Sequence, residues 1–416
     1  MEARKRVPAR RFSSRQVGGR ITTRGEPVMS TRLEAALKAA EGSPSDALTH
    51  GFHSYPARMH PAIARGLLAG LPPKTTVLDP FCGSGTVLIE ARLLGHRGIG
   101  VDLHPLAVRL AELKCSVKAE EALIRFHDRI REVAGASEER VRSRVDSRVS
   151  MAPWAMHSYD LHVLKELAGL LHEIQVVRSS ADRGALEMLF SAIAVKFSRR
   201  TGDTSGEDAV TPKRIRKGLV TEFFERKGEE LVERWHMLAG AVPKDSLPPR
   251  VLEGDARDLR NLLGPRATVD VVVTSPPYGG TYDYIQHHAL RCAWLEMDLS
   301  VMRRLEIGSR RRMVVPGAGV RFDREMIATL SSLARVLDSR GTIFMLLGDA
   351  LAAGRRIPGD VLLDRIAPEA GLTVVASATQ PRVNWRGDGP RAEHLVALKH
   401  GAELGKKRSV STRNNI

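Results

Sequence analysis

A short apolar segment, Thr75-Thr76-Val77-Leu78, runs directly into Asp79-Pro80-Phe81-Cys82-Gly83-Ser84-Gly85-Thr86 and then into residues 87–94, which have helical periodicity. This pattern predicts a strand, a glycine-rich turn and a helix, with an acid at the strand tip and glycines where the backbone approaches a ligand. The spacing differs from the dinucleotide pattern Gly-x-Gly-x-x-Gly, and the Lys-Ser/Thr pair of a phosphate-binding P-loop is absent. We therefore expect a ligand that carries no row of phosphates.

A second loop of unusual composition, Thr274-Ser275-Pro276-Pro277-Tyr278, follows the valine-rich residues 269–273. The valines predict a buried strand, and the two prolines end it because proline cannot continue a strand ladder. In an open α/β sheet, the carboxyl ends of the strands carry the ligand-binding loops. Held by two stiff prolines, Ser275 and Tyr278 would form a pocket wall for a planar polar group. The alternative is an ordinary turn with a half-buried tyrosine.

Together and in this order, the two loops resemble those of the S-adenosylmethionine-dependent amino-methyltransferases, which modify the exocyclic nitrogen of cytosine or adenine in DNA. In that family an Asp-Pro-Phe-x-Gly-x-Gly-Thr loop binds the cofactor, and a Ser/Asn/Asp-Pro-Pro-aromatic loop holds the target base. Both patterns are matched here, at 79–86 and 275–278, and the resemblance extends weakly from His50 to Lys399. It implies an α/β fold, with a seven-stranded, mostly parallel, Rossmann-like methyltransferase sheet, a helical insertion and an antiparallel last strand.

The resemblance also implies which residues bind S-adenosyl-L-methionine. Residues 53–61 resemble the family's cofactor motif ahead of the first strand, which would place Tyr55 or Met59 near the methionine end. Asp102 ends a short strand about twenty residues beyond the first turn, where a carboxylate can accept from ribose hydroxyls. Asp255 lies in a segment like the one whose acid approaches the adenine amino group. The predicted cofactor-binding residues are Tyr55, Asp79, Pro80, Phe81, Gly83, Gly85, Thr86, Asp102 and Asp255.

Seven strands are predicted, four of them ending at Asp79, Val101, Glu253 and Val273 and three covering 342–347, 372–376 and 394–399. The segment between the second and third strands is too long for a loop, and its helical patterns at 158–174, 185–197 and 220–238 predict a separate helical subdomain. The predicted organisation is a basic, disordered arm at 1–48, a methyltransferase core at 49–114 and 248–402, a helical insertion at 115–247 and a basic tail at 403–416.

The charge of the chain favours a polyanionic partner. The formal net charge is +16 and the sequence pI is about 10.2, which indicates a nucleic acid. We place target recognition in the insertion and predict that double-stranded DNA contacts Arg199, Arg200, Lys213, Arg214, Arg216, Lys217, Arg310 and Arg311. The alternatives are a solvated charged face for the insertion and a solubilising tail for the arm.

The cysteines discriminate between two methylation mechanisms. Methylation of cytosine carbon-5 requires a thiolate, which the enzymes concerned place directly after a proline, and none of Cys82, Cys115 and Cys292 follows a proline. Direct transfer to an exocyclic nitrogen therefore remains. The Ser275 hydroxyl and the Pro276 carbonyl would accept the amino hydrogens, Pro277 would keep them in place, and Tyr278 would stack on the extruded base.

The identity of the base depends on the first residue of this loop. In the family, serine there is associated more with cytosine N4, and aspartate or asparagine more with adenine N6. We predict a site-specific DNA methyltransferase that modifies cytosine N4, with adenine N6 as the nearest alternative. An RNA methyltransferase of the guanine-N2 kind, which uses a similar loop, is the second alternative. A DNA-binding protein with a degenerate methyltransferase fold is disfavoured because Gly83, Gly85, Ser275 and Tyr278 are all present.

The remaining sequence features concern location and partners. No stretch is long and apolar enough to span a membrane, and the basic N-terminal residues lack the apolar core of a signal peptide. We expect a cytoplasmic, nucleoid-associated protein with no membrane partner and with a companion restriction endonuclease as a candidate partner. Three cysteines without paired spacing suggest neither a disulfide framework nor a zinc site, so no metal is predicted.

Overall fold

The computed structural model describes residues 19–200, 214–382 and 391–401. These residues form an eight-stranded sheet and a two-stranded hairpin, the latter made by the seventh and eighth strands. The strands are β1 (Thr22–Gly25), β2 (Thr76–Asp79), β3 (Arg97–Asp102), β4 (Arg250–Glu253), β5 (Val269–Thr274), β6 (Leu337–Gly348), β7 (Ala350–Ala352), β8 (Arg355–Ile357), β9 (Leu372–Arg382) and β10 (Arg391–His400).

The strand order across the large sheet is β1-β9-β10-β6-β5-β2-β3-β4. The pairs β4–β3, β3–β2, β2–β5 and β5–β6 are parallel. β10 is antiparallel to both β6 and β9. The predicted α/β fold is confirmed, since the sheet is mostly parallel, all seven predicted strands are present and the last strand is antiparallel. β1 is an eighth strand that the sequence pattern does not predict.

Helices cover both faces of the large sheet and fill the insertion. Within the described ranges, none of them combines the length and the apolar content needed to cross a bilayer. The helices are α1 (Pro27–Ala39), α2 (Pro61–Leu68), α3 (Thr86–Leu93), α4 (Pro105–Cys115), α5 (Glu120–Arg142), α6 (Pro153–Met156), α7 (Leu161–Gln175), α8 (Ser180–Ala194), α9 (Leu219–Ala241), α10 (Leu259–Leu263), α11 (Tyr284–Trp294), α12 (Ser300–Leu305), α13 (Arg310–Met313), α14 (Ala318–Val336) and α15 (Gly359–Ile366).

The central strand β5 is buried on both faces, which explains its continuous run of valines. Val271 and Val273 pack into one hydrophobic core with α1, α2 and α3. Val269 and Val272 pack into the other core, with α14 and α15. The loop that follows β5 therefore starts from a rigid position at the centre of the sheet.

The predicted disordered arm at 1–48 is wrong for its second half. β1 pairs antiparallel with β9, and α1 buries Leu33, Ala36 and Leu37 against α2 and the sheet. Arg24, counted among the charges of the arm, donates to the Asp364 carboxylate of α15 at 2.5 Å. The sequence prediction misses the short amphipathic helix α1 because the arginines of this segment suggest disorder. Residues 1–18 of the arm and the predicted tail at 403–416 lie outside the described residues.

The insertion predicted at 115–247 contains the helices α5 to α9, of which α5 and α6 lie outside the three predicted helical patterns. It does not have a separate core, contrary to the prediction of a subdomain of its own. Its apolar side chains share one cluster with Leu106 and Leu110 of α4 and with Leu290 and Trp294 of α11. The insertion is therefore packed directly on the helices that flank the two predicted functional loops.

Candidate active site

A cleft lies at the carboxyl ends of β2 to β5, where the loops after these strands meet. It encloses about 870 Å³ of space, part of it open to solvent. Parallel strands bring these loops together although they are far apart in the sequence. The wall of the cleft includes most of the predicted site residues, namely Tyr55, Asp79, Pro80, Phe81, Gly83, Thr86, Asp102, Asp255, Ser275 and Pro277. Gly85, Pro276 and Tyr278 are the predicted residues that lie behind this wall.

Asp79, at the end of β2, connects the two loops. Its Oδ1 accepts a hydrogen bond from Thr274 Oγ1 at 2.6 Å and another from the backbone N–H of Phe81 at 3.1 Å. Thr274 is the last residue of β5 and immediately precedes Ser275. Burial raises the pKa of Asp79 to about 7, against the opposing effect of these two hydrogen bonds.

Two glycines shape the turn after β2, because φ is positive at both, +50° at Gly83 and +87° at Gly85. A Cβ at Gly83 would lie 3.1 Å from the ring of Tyr55, and a Cβ at Gly85 would lie 3.0 Å from the Cα of Ala111. Gly83 therefore keeps the cleft open beside Tyr55, whereas Gly85 lets α3 pack closely on α4.

Asp102, at the end of β3, fixes the position of the glycine turn through backbone hydrogen bonds. One carboxylate oxygen accepts from the Gly83 N–H at 2.8 Å and the other from the His104 N–H at 2.9 Å. Burial raises the pKa of Asp102 to about 6, although these backbone hydrogen bonds favour its charged form. Each oxygen retains a lone pair, so the carboxylate can still accept from hydroxyl groups of a ligand.

Tyr55 covers the glycine turn and is itself supported by two histidines. Its ring stacks on His288 of α11, with centroids 4.9 Å apart and an interplanar angle of 26°. His288 in turn meets His104 edge to face, with centroids 5.2 Å apart. Burial raises the pKa of the Tyr55 hydroxyl well above its usual value, with a further contribution from Asp102. Neither histidine has a sequence signal, because a tertiary contact brings them together.

The loop at 275–278, the predicted catalytic loop, divides between the cleft and the sheet. Ser275 and Pro277 line the cleft, whereas Tyr278 turns toward the end of β6, where a Cβ on Gly348 would lie 2.7 Å from the tyrosine ring. The hydroxyl oxygens of Ser275 and Tyr278 are 3.4 Å apart. Burial raises the pKa of Tyr278, so the phenol stays protonated. The predicted stacking of Tyr278 on a base stays a prediction.

Asp255 lines the cleft after β4, but its carboxylate already has a partner. Arg257 donates through Nε and Nη2 to both oxygens, with distances of 2.6 to 3.0 Å, and its backbone N–H adds a further bond at 2.9 Å. A contact between Asp255 and an adenine amino group would have to share these oxygens. This geometry makes Asp255 a weaker site for ligand binding than Asp102.

Two residues that the sequence pattern does not single out, Tyr284 and Glu306, also line the cleft. The Tyr284 N–H donates to Glu306 Oε1 at 3.1 Å. Burial raises the pKa of Glu306 to about 7, and nearby Asp283 adds to the shift. A usable signal exists for Glu306, because it is the single acid in the arginine-rich residues 299–321.

The residues predicted to contact nucleic acid fall into two groups. In the insertion, Arg199 is paired with Asp160 and Arg216 with Glu222, while the Arg200 guanidinium lies over the ring of Trp154. The exposed residues Arg214 and Lys217 belong to the same group, and Lys213 lies outside the described residues. The second group, Arg310 and Arg311, is exposed close to the catalytic loop, where the Arg310 N–H donates to the Tyr282 carbonyl at 3.1 Å.

Comparison with known families gives a partial match. Residues 52–227 match the family described as UPF0020, RMKL-like, methyltransferase domain. This range contains the turn at 79–86 and most of the insertion, and it ends before the loop at 275–278.

Curated relatives extend the similarity over more of the chain. The type II methyltransferase M.BsoBI of Geobacillus stearothermophilus is 25% identical over 262 residues, which is 57% of this chain and 50% of the relative. The type II methyltransferase M.MvaI of Kocuria varians is 24% identical over 271 residues, 61% of this chain and 58% of the relative. The chain thus spans only about half the length of these curated relatives.

A shorter and closer match concerns an RNA enzyme. The tRNA (guanine(10)-N2)-dimethyltransferase of Methanothermobacter thermautotrophicus is 47% identical over 51 residues, 12% of this chain and 15% of the relative. Among solved structures, the rRNA methyltransferase aviRa from Streptomyces viridochromogenes aligns over 89% of this chain and 97% of its own, with 17% identity and a TM-score of 0.35. Residues 52–227 are thus similar to a methyltransferase domain, and the chain has distant similarity to type II methyltransferases.

Proposed function

We propose that this protein transfers a methyl group from S-adenosylmethionine to the exocyclic N4 of cytosine at specific sites in double-stranded DNA. The observation that carries the proposal is the hydrogen bond between Thr274 and Asp79. It joins the ends of β5 and β2, so that Ser275 faces the same cleft as the glycine-rich turn. The two type II relatives favour DNA as the substrate.

The cleft residues fit S-adenosylmethionine. Asp79 is buried and Asp102 half-buried, and the raised pKa values of both carboxylates reflect desolvation with a shortage of compensating charge. A ligand with an ammonium group and ribose hydroxyls would supply that charge and those donors. Phe81, Leu103 and Ile307 offer apolar surface for an adenine ring in the same cleft. We assign Asp102 to the ribose, in line with its free lone pairs, and Tyr55 to the methionine end.

The proposed chemistry needs acceptors rather than a nucleophilic side chain. The bound cofactor supplies an electrophilic methyl group on a sulfonium centre. An exocyclic amino group is a poor nucleophile because its lone pair is delocalised into the ring, and acceptors aimed at its hydrogens favour a more reactive tetrahedral nitrogen. Ser275 Oγ and the Pro276 carbonyl are the proposed acceptors. Glu306, an acid with a pKa of about 7 in the same cleft, is the proposed acceptor of the proton that the amino group loses.

Cysteine chemistry is not part of this proposal. Cys82, Cys115 and Cys292 are all buried, and burial raises the pKa of each thiol. A thiol with a raised pKa is a weak nucleophile at neutral pH, because the thiolate is the reactive form. Direct transfer to nitrogen therefore suits the site better than transfer to a ring carbon.

Serine at position 275 favours cytosine N4 on the family resemblance, and adenine N6 is the alternative base. A second candidate substrate is RNA, with guanine N2 as the methylated atom. The short match to a tRNA (guanine(10)-N2)-dimethyltransferase favours it. The net charge of +16 suits either polymer.

One experiment distinguishes these substrates. The purified chain is incubated with cofactor carrying an isotopic methyl label and with either duplex DNA of random sequence or structured RNA. The polymer is then digested to nucleosides for mass spectrometry. We expect label on N4-methyl-2′-deoxycytidine from DNA, and far less label when Ser275→Ala replaces the wild type. Label confined to guanine from RNA would replace the main proposal with the second candidate.

A further inference from the structure

A strongly basic surface surrounds the catalytic loop. Residues 299–321 contain six arginines and one acid, Glu306, and this acid faces the cleft. The hairpin β7–β8 adds two more arginines on the other side of the loop. Seven of these side chains are exposed, and two of the seven have partners, because Arg321 donates to the Arg312 carbonyl at 2.6 Å and Arg356 lies 3.8 Å from the Asp349 carboxylate. We call the other five the arginine rim. The rim consists of Arg303, Arg304, Arg310, Arg311 and Arg355.

Backbone hydrogen bonds fasten the rim to the catalytic loop on both sides. The Arg310 N–H donates to the Tyr282 carbonyl at 3.1 Å, and the Leu351 N–H of the hairpin donates to the Gly279 carbonyl at 2.8 Å. Gly279 directly follows Tyr278. Anything that binds the rim is therefore held at a fixed distance from the catalytic loop.

Arg312 makes the rim rigid, because its side chain is turned inward while its neighbours face solvent. Its guanidinium donates to the carbonyl oxygens of Arg303 and Glu306 at 3.1 Å and of Arg304 at 2.9 Å. These carbonyls lie at the carboxyl end of α12, where a cation is favourable. The backbone under the rim is thus fixed, and its side chains can adapt to a partner.

The rim differs from Arg199 and Arg216 of the insertion, though not from the exposed Arg214 and Lys217, in how its charges are paired. None of the five rim side chains has a hydrogen bond or an ion pair with any described residue. Arg199 and Arg216 of the insertion, in contrast, are paired with acids. Arg303 and Arg304 interact at longer range with Asp298, and Arg311 with Glu306. Because none of these is a close ion pair, the rim can bind a polyanion without breaking one.

Apolar side chains are exposed on the same surface. Val314 and Val315, in the loop after α13, are 70% and 41% exposed, and Leu351 of the hairpin is 38% exposed. Apolar side chains among arginines suit a DNA groove, where phosphates meet the cations and sugars and base edges meet the aliphatic groups.

We propose that the arginine rim is the surface on which double-stranded DNA docks, and that it grips the phosphates flanking the base to be methylated. This inference rests on the proposed function, and it moves the main nucleic-acid contact from the insertion to the segments on either side of the catalytic loop. The arrangement supplies positioning without sequence readout, because phosphate contacts fix register while base contacts specify sequence.

The test compares salt dependence of binding among three sets of variants. A labelled duplex of random sequence is titrated with wild-type protein and with two rim variants, Arg303→Ala/Arg304→Ala and Arg310→Ala/Arg311→Ala. Each lost phosphate contact lowers the slope of log K against log salt by about 1. We expect each rim variant to lower the slope by about 2 and to weaken binding at least about tenfold at physiological salt.

The matched control removes two exposed arginines of α5 that form no close ion pair, as Arg125→Ala/Arg131→Ala, and should leave both quantities unchanged. A third variant, Arg199→Ala/Arg216→Ala, represents the insertion. The rim proposal is overturned if the rim variants keep the wild-type slope, or if the loss occurs in the insertion variant instead. Cofactor titration and thermal melting of every variant verify that it is folded.

Methyl transfer measured on the same preparations separates this inference from the proposed function. If the rim variants reduce the salt slope but the wild-type protein methylates no nucleic acid, the docking surface is supported and the proposed activity is rejected. If the wild-type protein methylates DNA but the rim variants keep the wild-type slope, the activity is supported and the docking surface is rejected. Titration with structured RNA forms the last arm, and rim variants that weaken RNA binding alone would overturn the assignment to duplex DNA.

Discussion

The loops after β2 and β5 meet in one cleft but are held in different ways. The turn at 79–86 is fixed largely by its own sequence, through two glycines with positive φ and through Asp79, which accepts from Phe81. The loop at 275–278 owes its orientation to distant residues, since Gly348 of β6 leaves room for Tyr278. The comparison teaches that the proposed cofactor side of this site is encoded mainly by local sequence, with support from Asp102, whereas the proposed target side depends on tertiary contacts.

The largest effect is expected from Ser275→Ala, which should stop the chemistry and leave the cofactor side intact. Loss of one aligned polar group at a reacting centre costs about 3 to 4 kcal/mol, or about 10² to 10³ in kcat. Single-turnover methyl transfer measures the first effect and cofactor titration the second. Ser143→Ala, at the end of α5, is the matched control. Full activity of the Ser275 variant would remove this hydroxyl from the mechanism.

Glu306→Gln should lower the activity and raise the stability of the folded protein. Because burial raises the pKa of Glu306 from 4.5 to about 7, ionising it in the folded protein is unfavourable at higher pH. The glutamine avoids that cost and still accepts from the Tyr284 N–H. At pH 8 the variant should gain about 3 kcal/mol in free energy of unfolding while kcat falls. The gain should shrink as the pH falls through 7 and vanish near 4.

Denaturant unfolding of wild type and variant at a series of pH values measures this gain. Glu296→Gln, an exposed residue just before α12, serves as the control and should show no difference. A Glu306→Gln variant that is less stable than the wild type at pH 8, or a gain that does not depend on pH, would contradict the assignment.

Asp102→Ala should damage the cofactor side alone. It removes the acceptor of the Gly83 and His104 N–H groups together with the proposed ribose contact, and we expect cofactor affinity to fall by about 2 kcal/mol, or roughly 30-fold. Binding of duplex DNA should stay within error of the wild type. Asp102→Asn keeps one acceptor oxygen, and its cofactor affinity should lie between those of the wild type and the alanine variant. Unchanged cofactor affinity in the alanine variant would remove Asp102 from the site.

The smallest effect is expected from Tyr278→Ala, which tests how separate the two sides are. A base stacked on an aromatic ring is worth about 1 to 3 kcal/mol, and we expect a loss near 1 kcal/mol in kcat/KM because the ring is only partly free. Tyr278→Phe should retain most activity, since the ring remains. Cofactor titration should detect no change in either variant. A collapse of cofactor affinity would mean that the loops are coupled and that the comparison fails.

The parts of the fold that are encoded locally could be predicted from sequence. Val269 to Val273 and the turn at 79–86 have dense apolar or glycine patterns, and the strands and the cofactor cleft follow from them. β1 could not be predicted in this way because its four residues are exposed and polar, and only pairing with β9 makes them a strand. The apolar positions of α1 have helical spacing, but the arginines that precede the helix favour a prediction of disorder.

The site shows the same division. Asp79 and Asp102 are predictable because an acid at the tip of a parallel strand lies at the ligand edge of the sheet. Glu306 is not at a strand end, and it reaches the cleft only because residues 299–313 fold back onto the loop after β5. Charge alone identifies Arg216 and Arg310 equally well. Only the structure shows that one is neutralised by Glu222 and the other is not.

β1 also has a practical consequence for anyone who shortens the chain. It pairs with residues 376–379 at the outer edge of the eleven-residue strand β9, where backbone groups would otherwise be uncovered. An uncovered edge is a template for pairing with a second molecule. A truncation meant to remove the arginine-rich start should therefore end before Thr22. A cut placed after Gly25 would leave the edge of β9 unpaired, and the resulting self-association could be mistaken for a biological dimer.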